Sequence, residues 1–477
     1  MAGLAHCHRH DAHMTGRTRV AIIGGGWAGL ACAETLCALS APAFDVTLFE
    51  AAPELGGRAR GLTWNVSPER SLLIDNGQHL AVGAYRETFD LLRRVGAPAW
   101  SVQPLLWAGV STNARLAQSW RIPEASFPLR LLCSVFGQHA PTGWPLAWRW
   151  SLATTLLHIL GHRWQARGTA IAWLTQLRVP QGLIEHFWRP LTEGALNTEL
   201  EQASAAVLMR VLKDTLGGDA EAASVMTPPR NLSVDGVDPI AHHLEARQVL
   251  IRRGHRVTHI TADGELTTMH GNTAARAQYD AIVMALPSHA AERLWSDAAL
   301  PATPASLRWA GLSSRAITTI WIACDTTVSQ RLAHLPAWFM LNPQPDLPHI
   351  AQVVVQRAGA LALVVSAREF PAIEGSLREQ LAQPLAAQIR AQLDIDITSL
   401  PQKWITEKSA TWACTPDAPM PTRSETNGLT GLPRIFRAAD DLEAGYPATI
   451  ESAVRSGRRT AQTIIANESA LRPDQAG

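Results

Sequence analysis

A chain of 477 residues, 47% of them hydrophobic and 17% charged, is long enough for two or three domains, each with its own core. A formal net charge of +1 excludes the strong positive field that a nucleic-acid-binding protein needs. Six cysteines without a C-x-x-C pair point to reduced thiols and a cytoplasmic protein, not to a disulfide framework.

The first 18 residues, MAGLAHCHRHDAHMTGRT, lack the apolar run of a secretory signal and read as a disordered tail. Cys7, His8, His10 and His13 are metal-ligating types, but a polar tail is the plainer reading and no metal site is expected. No apolar run reaches the roughly 18–20 residues that cross a bilayer.

Residues 19–97 open with a β-branched strand, Arg19 to Ile23, and then the loop GGGWAG. An alanine-rich helix from about Ala28 to Ser40 and a second strand, Asp45 to Glu50, complete a βαβ unit. Gly24, Gly26 and Gly29 form a G-x-G-x-x-G pattern. Gly24 permits the tight turn, Gly26 lets the backbone approach a pyrophosphate, and Gly29 allows close helix–strand packing. Free N–H groups where Trp27 and Ala28 open the helix would face the phosphates. Glu50, about twenty residues further on, is placed for ribose hydroxyls and disfavours a 2′-phosphate.

From 98 to 230 tryptophans are dense and prolines punctuate, which reads as a largely helical substrate-binding insertion. Within it, Pro141 to Trp164 has the arginine and tryptophan mix of a helix lying at a membrane interface; the alternative is an ordinary helical core. Residues 231–292 return to cofactor-binding grammar: a helix over PIAHHLEARQVLIRRG, a strand HRVTHITA and a strand YDAIVMALP. Residues 293–404 read as a β-rich second substrate-binding part, with AITTIWIA and LALVVSA as strands. Residues 405–467 close the cofactor domain through RIFRAADDLEAGYPATIESAVRSG, and 468–477 read as a disordered tail. No second G-x-G-x-x-G follows a strand, so no built-in nicotinamide domain is expected and electrons would come from a separate donor.

ELGGRARG, Glu54 to Gly61, resembles the extended FAD signature of glutathione-reductase-like flavoproteins, and implies that Gly57 and Arg58 meet the cofactor. With DNGQHLAVGAYRET, FWRPLTEGALNTEL and GYPATIESAVRSG it makes the chain, from Arg19 to about Gly457, similar to the amine oxidase and carotenoid desaturase flavoprotein superfamily. The likeness is strongest to its squalene-associated branch, the hydroxysqualene dehydroxylases. The resemblance implies an α/β fold: a glutathione-reductase-like Rossmann domain for FAD interleaved with an amine-oxidase-like α+β substrate domain. It implies reduction of hydroxysqualene to squalene with loss of water, a long apolar isoprenoid substrate, and peripheral contact with the inner face of the cell membrane. It also places Val257 against adenine, Asp440 at the ribityl hydroxyls, and Pro447, Ala448 and Thr449 at the flavin edge. Trp27 is expected over the pyrophosphate turn, and Asn76 and Gly77 beside the isoalloxazine.

Reductive loss of a hydroxyl needs a hydrogen-bond donor or acid and a hydride source. Gln78 and His79 are the candidate donors; Asp75 is a candidate acid or, more plainly, a loop anchor. Asn197 stands level with His79, its amide either orienting the channel or satisfying a helix end, and Glu193 is a weaker acid candidate. An apolar channel lined by the tryptophan-rich insertion would hold the tail. The family pattern before the last helix carries glycine, tryptophan and threonine where this chain has Ala439, Asp441 and Leu442, changes expected to loosen FAD. The rival readings are a phytoene-type desaturase, an amine oxidase and a non-catalytic flavin-binding lipid carrier.

Overall fold

The computed structural model describes residues 16–38, 43–104, 106–121, 135–136, 141–161, 166–219, 221–343, 350–366 and 376–471. The tail cluster Cys7, His8, His10 and His13, and residues 472–477, lie outside them.

Six strands form the cofactor sheet, in the order Leu250–Arg253, Phe44–Glu50, Thr18–Ile23, Ala281–Met284, Ile435–Arg437, Leu429–Leu432. All neighbours are parallel except the last pair. Val20, Ala21, Ile22 and Ile23 are all buried, as a parallel strand covered on both faces requires. Alternation along the strand splits them: Val20 and Ile22 enter one core, Ala21 and Ile23 the other. The first core is closed by helices Trp27–Cys37 and Ile450–Ala466. These two approach so closely that a Cβ on Gly457 would lie 2.1 Å from the Ala28 carbonyl oxygen. The second core is closed by helices Ser288–Asp297 and Pro304–Ala310 and by an antiparallel meander, Arg256–Ile260, Glu265–His270, Thr273–Gln278.

Two expectations are corrected. The helix predicted through Gly254 ends at Ala246; Gln248 takes a positive φ of 65°, and Leu250–Arg253 becomes the edge strand beside Phe44–Glu50. The segment from 98 to 230 is not largely helical at its start. Leu106–Ser111 and Arg115–Arg121 complete a seven-stranded sheet whose other strands are Gln402–Trp412, Ser314–Ala323, Ala360–Val365, Val353–Arg357 and Trp338–Leu341. One face of that sheet packs on helix Ser376–Leu393 through Leu385 and Ile389. The other packs on helices Leu146–Leu160, Ala170–Gln176, Arg189–Leu196 and Ala205–Leu216.

Trp120, Trp144, Trp173 and Trp188 are buried in this second layer, where Phe187 meets Trp120, Trp144 and Trp188 edge-on. These tryptophans build a core instead of lining an open channel. The four described cysteines, Cys32, Cys37, Cys324 and Cys414, are free. No described helix is long and apolar enough to cross a membrane.

Candidate active site

The glycine loop is shaped by what a side chain would strike. A Cβ on Gly24 (φ +111°) would lie 2.4 Å from the Ala285 carbonyl oxygen, and one on Gly29 would lie 2.0 Å from that of Gly24. Gly26 differs: its Cβ would meet only the Gly57 Cα, 3.9 Å away. The fold therefore does not require glycine at 26. The space above it is a cradle that a side chain would fill, as a closely approaching pyrophosphate demands. Gly26 caps helix Trp27–Cys37 without a side-chain bond, which leaves first-turn N–H groups for phosphate oxygens. Glu50 accepts from the Gly25 and Ala52 N–H groups, both at 2.8 Å, so its carboxylate is locked at the end of its strand with further lone pairs for ribose hydroxyls.

The Glu54–Gly61 loop lies against the glycine loop. Gly56 N–H donates to the Gly25 carbonyl at 2.8 Å, and the Trp27 indole N–H donates to the Ala59 carbonyl at 2.8 Å. The Trp27 ring is buried and a Cβ on Gly236 would touch it, so it clasps two loops from beneath. Any contact between Trp27 and phosphate is left to its backbone. Val257 sits on the meander strand Arg256–Ile260, beside the Glu50 strand end, where His255 N–H donates to the Glu50 carbonyl at 2.9 Å.

Arg58 joins the parts. Its guanidinium donates to Asp440 at 2.5 Å and to the Ser409 and Ala410 carbonyls at 3.3 and 3.0 Å. Its carbonyl accepts from the Asn76 amide at 2.9 Å, while Asn76 Oδ1 accepts from the Arg60 N–H at 3.0 Å. Asn76 thus clasps the 58–60 segment to the loop that carries Gly77, Gln78 and His79. A recess lined by Arg58, Ser288, His289, Thr411, Trp412 and Asp440 opens where the two sheets meet. Pro447, Ala448 and Thr449 lead into helix Ile450–Ala466. The Thr449 hydroxyl caps it, accepting from Ser452 N–H at 3.1 Å, and Ser452 Oγ donates to the Pro447 carbonyl at 2.6 Å.

Asp75 is a loop anchor in this geometry. It is fully buried, accepts from Arg357 and from the Leu232 N–H, each at 2.8 Å, and its carbonyl accepts from the Trp321 indole at 3.0 Å. Burial still pushes its carboxyl up to about 6 against the pull of Arg357.

The polar atoms left free in the loop are Gln78 Oε1 and His79 Nε2, both buried without a partner. Burial, helped by Arg357, pushes the His79 imidazole down to about 4, although its hydrogen bond to the Arg58 carbonyl works the other way. The ring is neutral at pH 7, with a proton on one nitrogen and a lone pair on the other. Gln78 spends one of its two amide N–H donors on the His79 carbonyl at 3.2 Å and its backbone N–H on Thr319 Oγ1 at 3.2 Å. Gln78 therefore keeps a free acceptor, Oε1, and a second amide hydrogen, and the neutral His79 ring carries one N–H and one lone pair, so both side chains can donate as well as accept. Asn197 ends helix Arg189–Leu196 in the left-handed region (φ 46°) and donates to Thr411 Oγ1 at 3.0 Å and to the Ala316 carbonyl at 3.3 Å. Glu193 is held by Arg189 and Gln352, and burial raises its carboxyl.

The altered loop before the last helix has a physical account that local sequence did not offer. Asp441 is buried and accepts from Arg437 at 2.5 and 2.7 Å and from Arg308 at 3.0 Å; Arg308 also donates to Glu425 at 2.6 Å. Arg437 lies over the Trp309 ring, 4.7 Å from its centroid. Burial opposes ionisation of Asp441, but the two guanidinium groups hold its carboxyl below the usual range. An ion network stands where the pattern has tryptophan, and it fixes the segment that carries Asp440.

The model of flavin containing amine oxidoreductases matches residues 27–465. The chain belongs to that family. A dinucleotide cradle in a flavin-containing family specifies FAD, and the chain is an FAD-dependent oxidoreductase. It is 26% identical over 460 residues to a hydroxysqualene dehydroxylase of Rhodopseudomonas palustris, covering 94% of this chain and 98% of that one. It is 24% identical over 461 residues to a hydroxysqualene dehydroxylase of Sinorhizobium fredii, with the same coverage. The fold is that of wild-type putrescine oxidase bound to putrescine, with a TM-score of 0.66, 15% identity and coverage of 94% of this chain and 99% of that one.

Proposed function

We propose that this enzyme reduces hydroxysqualene to squalene, with release of water, using electrons from a separate donor. The observation that carries the reading is the end-to-end match to proteins named hydroxysqualene dehydroxylase, 98% of whose length is covered. The site supports it. The loop presents an uncharged amide and an uncharged imidazole, groups that can hydrogen-bond a hydroxyl in either direction. The carboxylate nearest in sequence, Asp75, is spent on Arg357.

In the balanced reaction the C–O bond breaks, hydride and a proton are consumed, and C–H and water form. Reduced FAD, when bound, supplies the hydride. The N–H groups of the Gly24–Gly29 loop would hold its phosphates, Glu50 its ribose, and Arg58 with Asp440 the chain between phosphate and ring. His79 and Gln78 would hydrogen-bond the substrate hydroxyl, one accepting its O–H and the other donating to its oxygen, and so set the direction of the C–O bond. At neutral pH His79 orients the hydroxyl without protonating it, because its imidazole titrates near 4. The test is product analysis after anaerobic incubation of FAD-loaded, dithionite-reduced enzyme with hydroxysqualene. Squalene is expected. Its absence, with phytoene or putrescine oxidised by the same preparation in air, would overturn the reading.

A further inference from the structure

We infer that the outer face of helix Leu146–Leu160 docks on the surface of an anionic lipid bilayer. Leu146, Trp150 and Leu157 are 68%, 63% and 53% exposed. Their spacing places them along one side of the 15-residue helix, with the exposed Thr154 between them. Phe136 is itself partly exposed and leans on Trp150, with ring centroids 4.8 Å apart. The opposite side is already spent: Leu152, Leu156 and Ile159 are fully buried in the core of the second layer. A helix on an aqueous surface has a mainly polar outer face; this one shows three large apolar side chains there beside Thr154 and His158. Leu307, 67% exposed, lies on a different helix, Pro304–Ala310.

Charge decides the occupant. Between Glu124 and Glu185 the sequence contains no aspartate or glutamate, but it contains Arg130, Arg149, Arg163, Arg167 and Arg178. A chain of net charge +1 thus concentrates positive charge in the segment that shows the apolar stripe. A second copy packed on this face about a two-fold axis would set like charges against each other. An anionic lipid surface offers the opposite charge, and an apolar layer for Trp150 and the leucines just beneath it. The helix lies on the membrane; no described helix is long and apolar enough to cross one.

The test uses the full-length, FAD-loaded protein and does not depend on turnover. It is sedimented with vesicles of phosphatidylcholine containing phosphatidylglycerol and with vesicles of phosphatidylcholine alone. The native protein is expected to pellet with the anionic vesicles and to be released by high salt. Replacing Trp150→Ser and Leu157→Ser together should lower the partition coefficient at least about tenfold, with circular dichroism unchanged. Leu307→Ser, at an exposed position on another helix, should sediment as native. The inference is overturned if the double variant sediments like the native protein, or if the native protein ignores anionic vesicles. It is equally overturned if the native protein is a dimer in sedimentation velocity that the double variant converts to monomer.

Discussion

Asp441→Asn tests whether the ion network carries the segment beside the cofactor. The change preserves shape and removes one charge. Arg437, whose side chain is 1% exposed, then has an amide where two carboxylate oxygens stood, and one donor faces another. Arg308 keeps Glu425; Arg437 keeps only its position over Trp309. Leaving a buried guanidinium uncompensated costs about 3–5 kcal/mol, a large share of the roughly 5–15 kcal/mol that holds a domain folded. Urea unfolding followed by circular dichroism should show that loss. Because Asp440 is the next residue and holds Arg58, the FAD dissociation constant should rise at least about tenfold, which corresponds to about 1.4 kcal/mol. The pH dependence has a definite sign. The folded carboxyl titrates below its ordinary value, so its stabilisation is present above about pH 3.9 and lost as pH falls through the folded pKa. Asp441→Asn should lack that acid limb. A variant within about 1 kcal/mol of native, with unchanged FAD affinity, would refute the reasoning.

Gly26→Ala should leave the apoprotein within about 1 kcal/mol of native, because the added methyl meets only the Gly57 Cα, 3.9 Å away, yet sharply lower FAD retention on gel filtration; normal flavin content would contradict the cradle. His79→Ala should lower kcat/KM about 10–100-fold through loss of one hydrogen bond to substrate, with FAD content unchanged. His79→Gln tests a linkage: the imidazole titrates near 4 when folded and near 6.5 when unfolded, so its contribution is present above 6.5 and lost as pH falls towards 4. Over that window the native protein should lose up to about 1.4 kcal/mol per pH unit more than the variant, and parallel curves would count against a buried neutral ring.

The parts of this enzyme legible in its sequence are those whose physics is local. The glycine loop, its preceding strand and Glu50 lie within one βαβ unit, and each residue announces its role by type and spacing. Ile282 and Trp321 fall in strands that short β-branched runs had marked. The failures have two causes. Leu250–Arg253 follows an amphipathic helix with no proline between them, and only the left-handed turn at Gln248 separates the two. The strands of 101–121 are tryptophan-rich, and large aromatics serve a sheet and a helical core equally. The site posed a harder problem, because its geometry is made of partners far apart in sequence. Arg58 meets Asp440 across 382 residues, Asp75 meets Arg357 across 282, and Arg308 meets Asp441 across 133. No local window contains such a pair. Asp441 therefore looked like a defect in a flavin-edge loop until its two arginines came into view.

The central claim is that electrons on the bound flavin end in a C–H bond of squalene. Its most direct test is an anaerobic single turnover in D₂O, with photoreduced, FAD-loaded enzyme and hydroxysqualene, following flavin absorbance and product mass together. The account predicts one squalene, carrying one deuterium, for each flavin reoxidised. A flavin that stays reduced in the presence of bound hydroxysqualene, with no squalene formed, would contradict it and leave a protein that binds flavin and lipid without joining their chemistry.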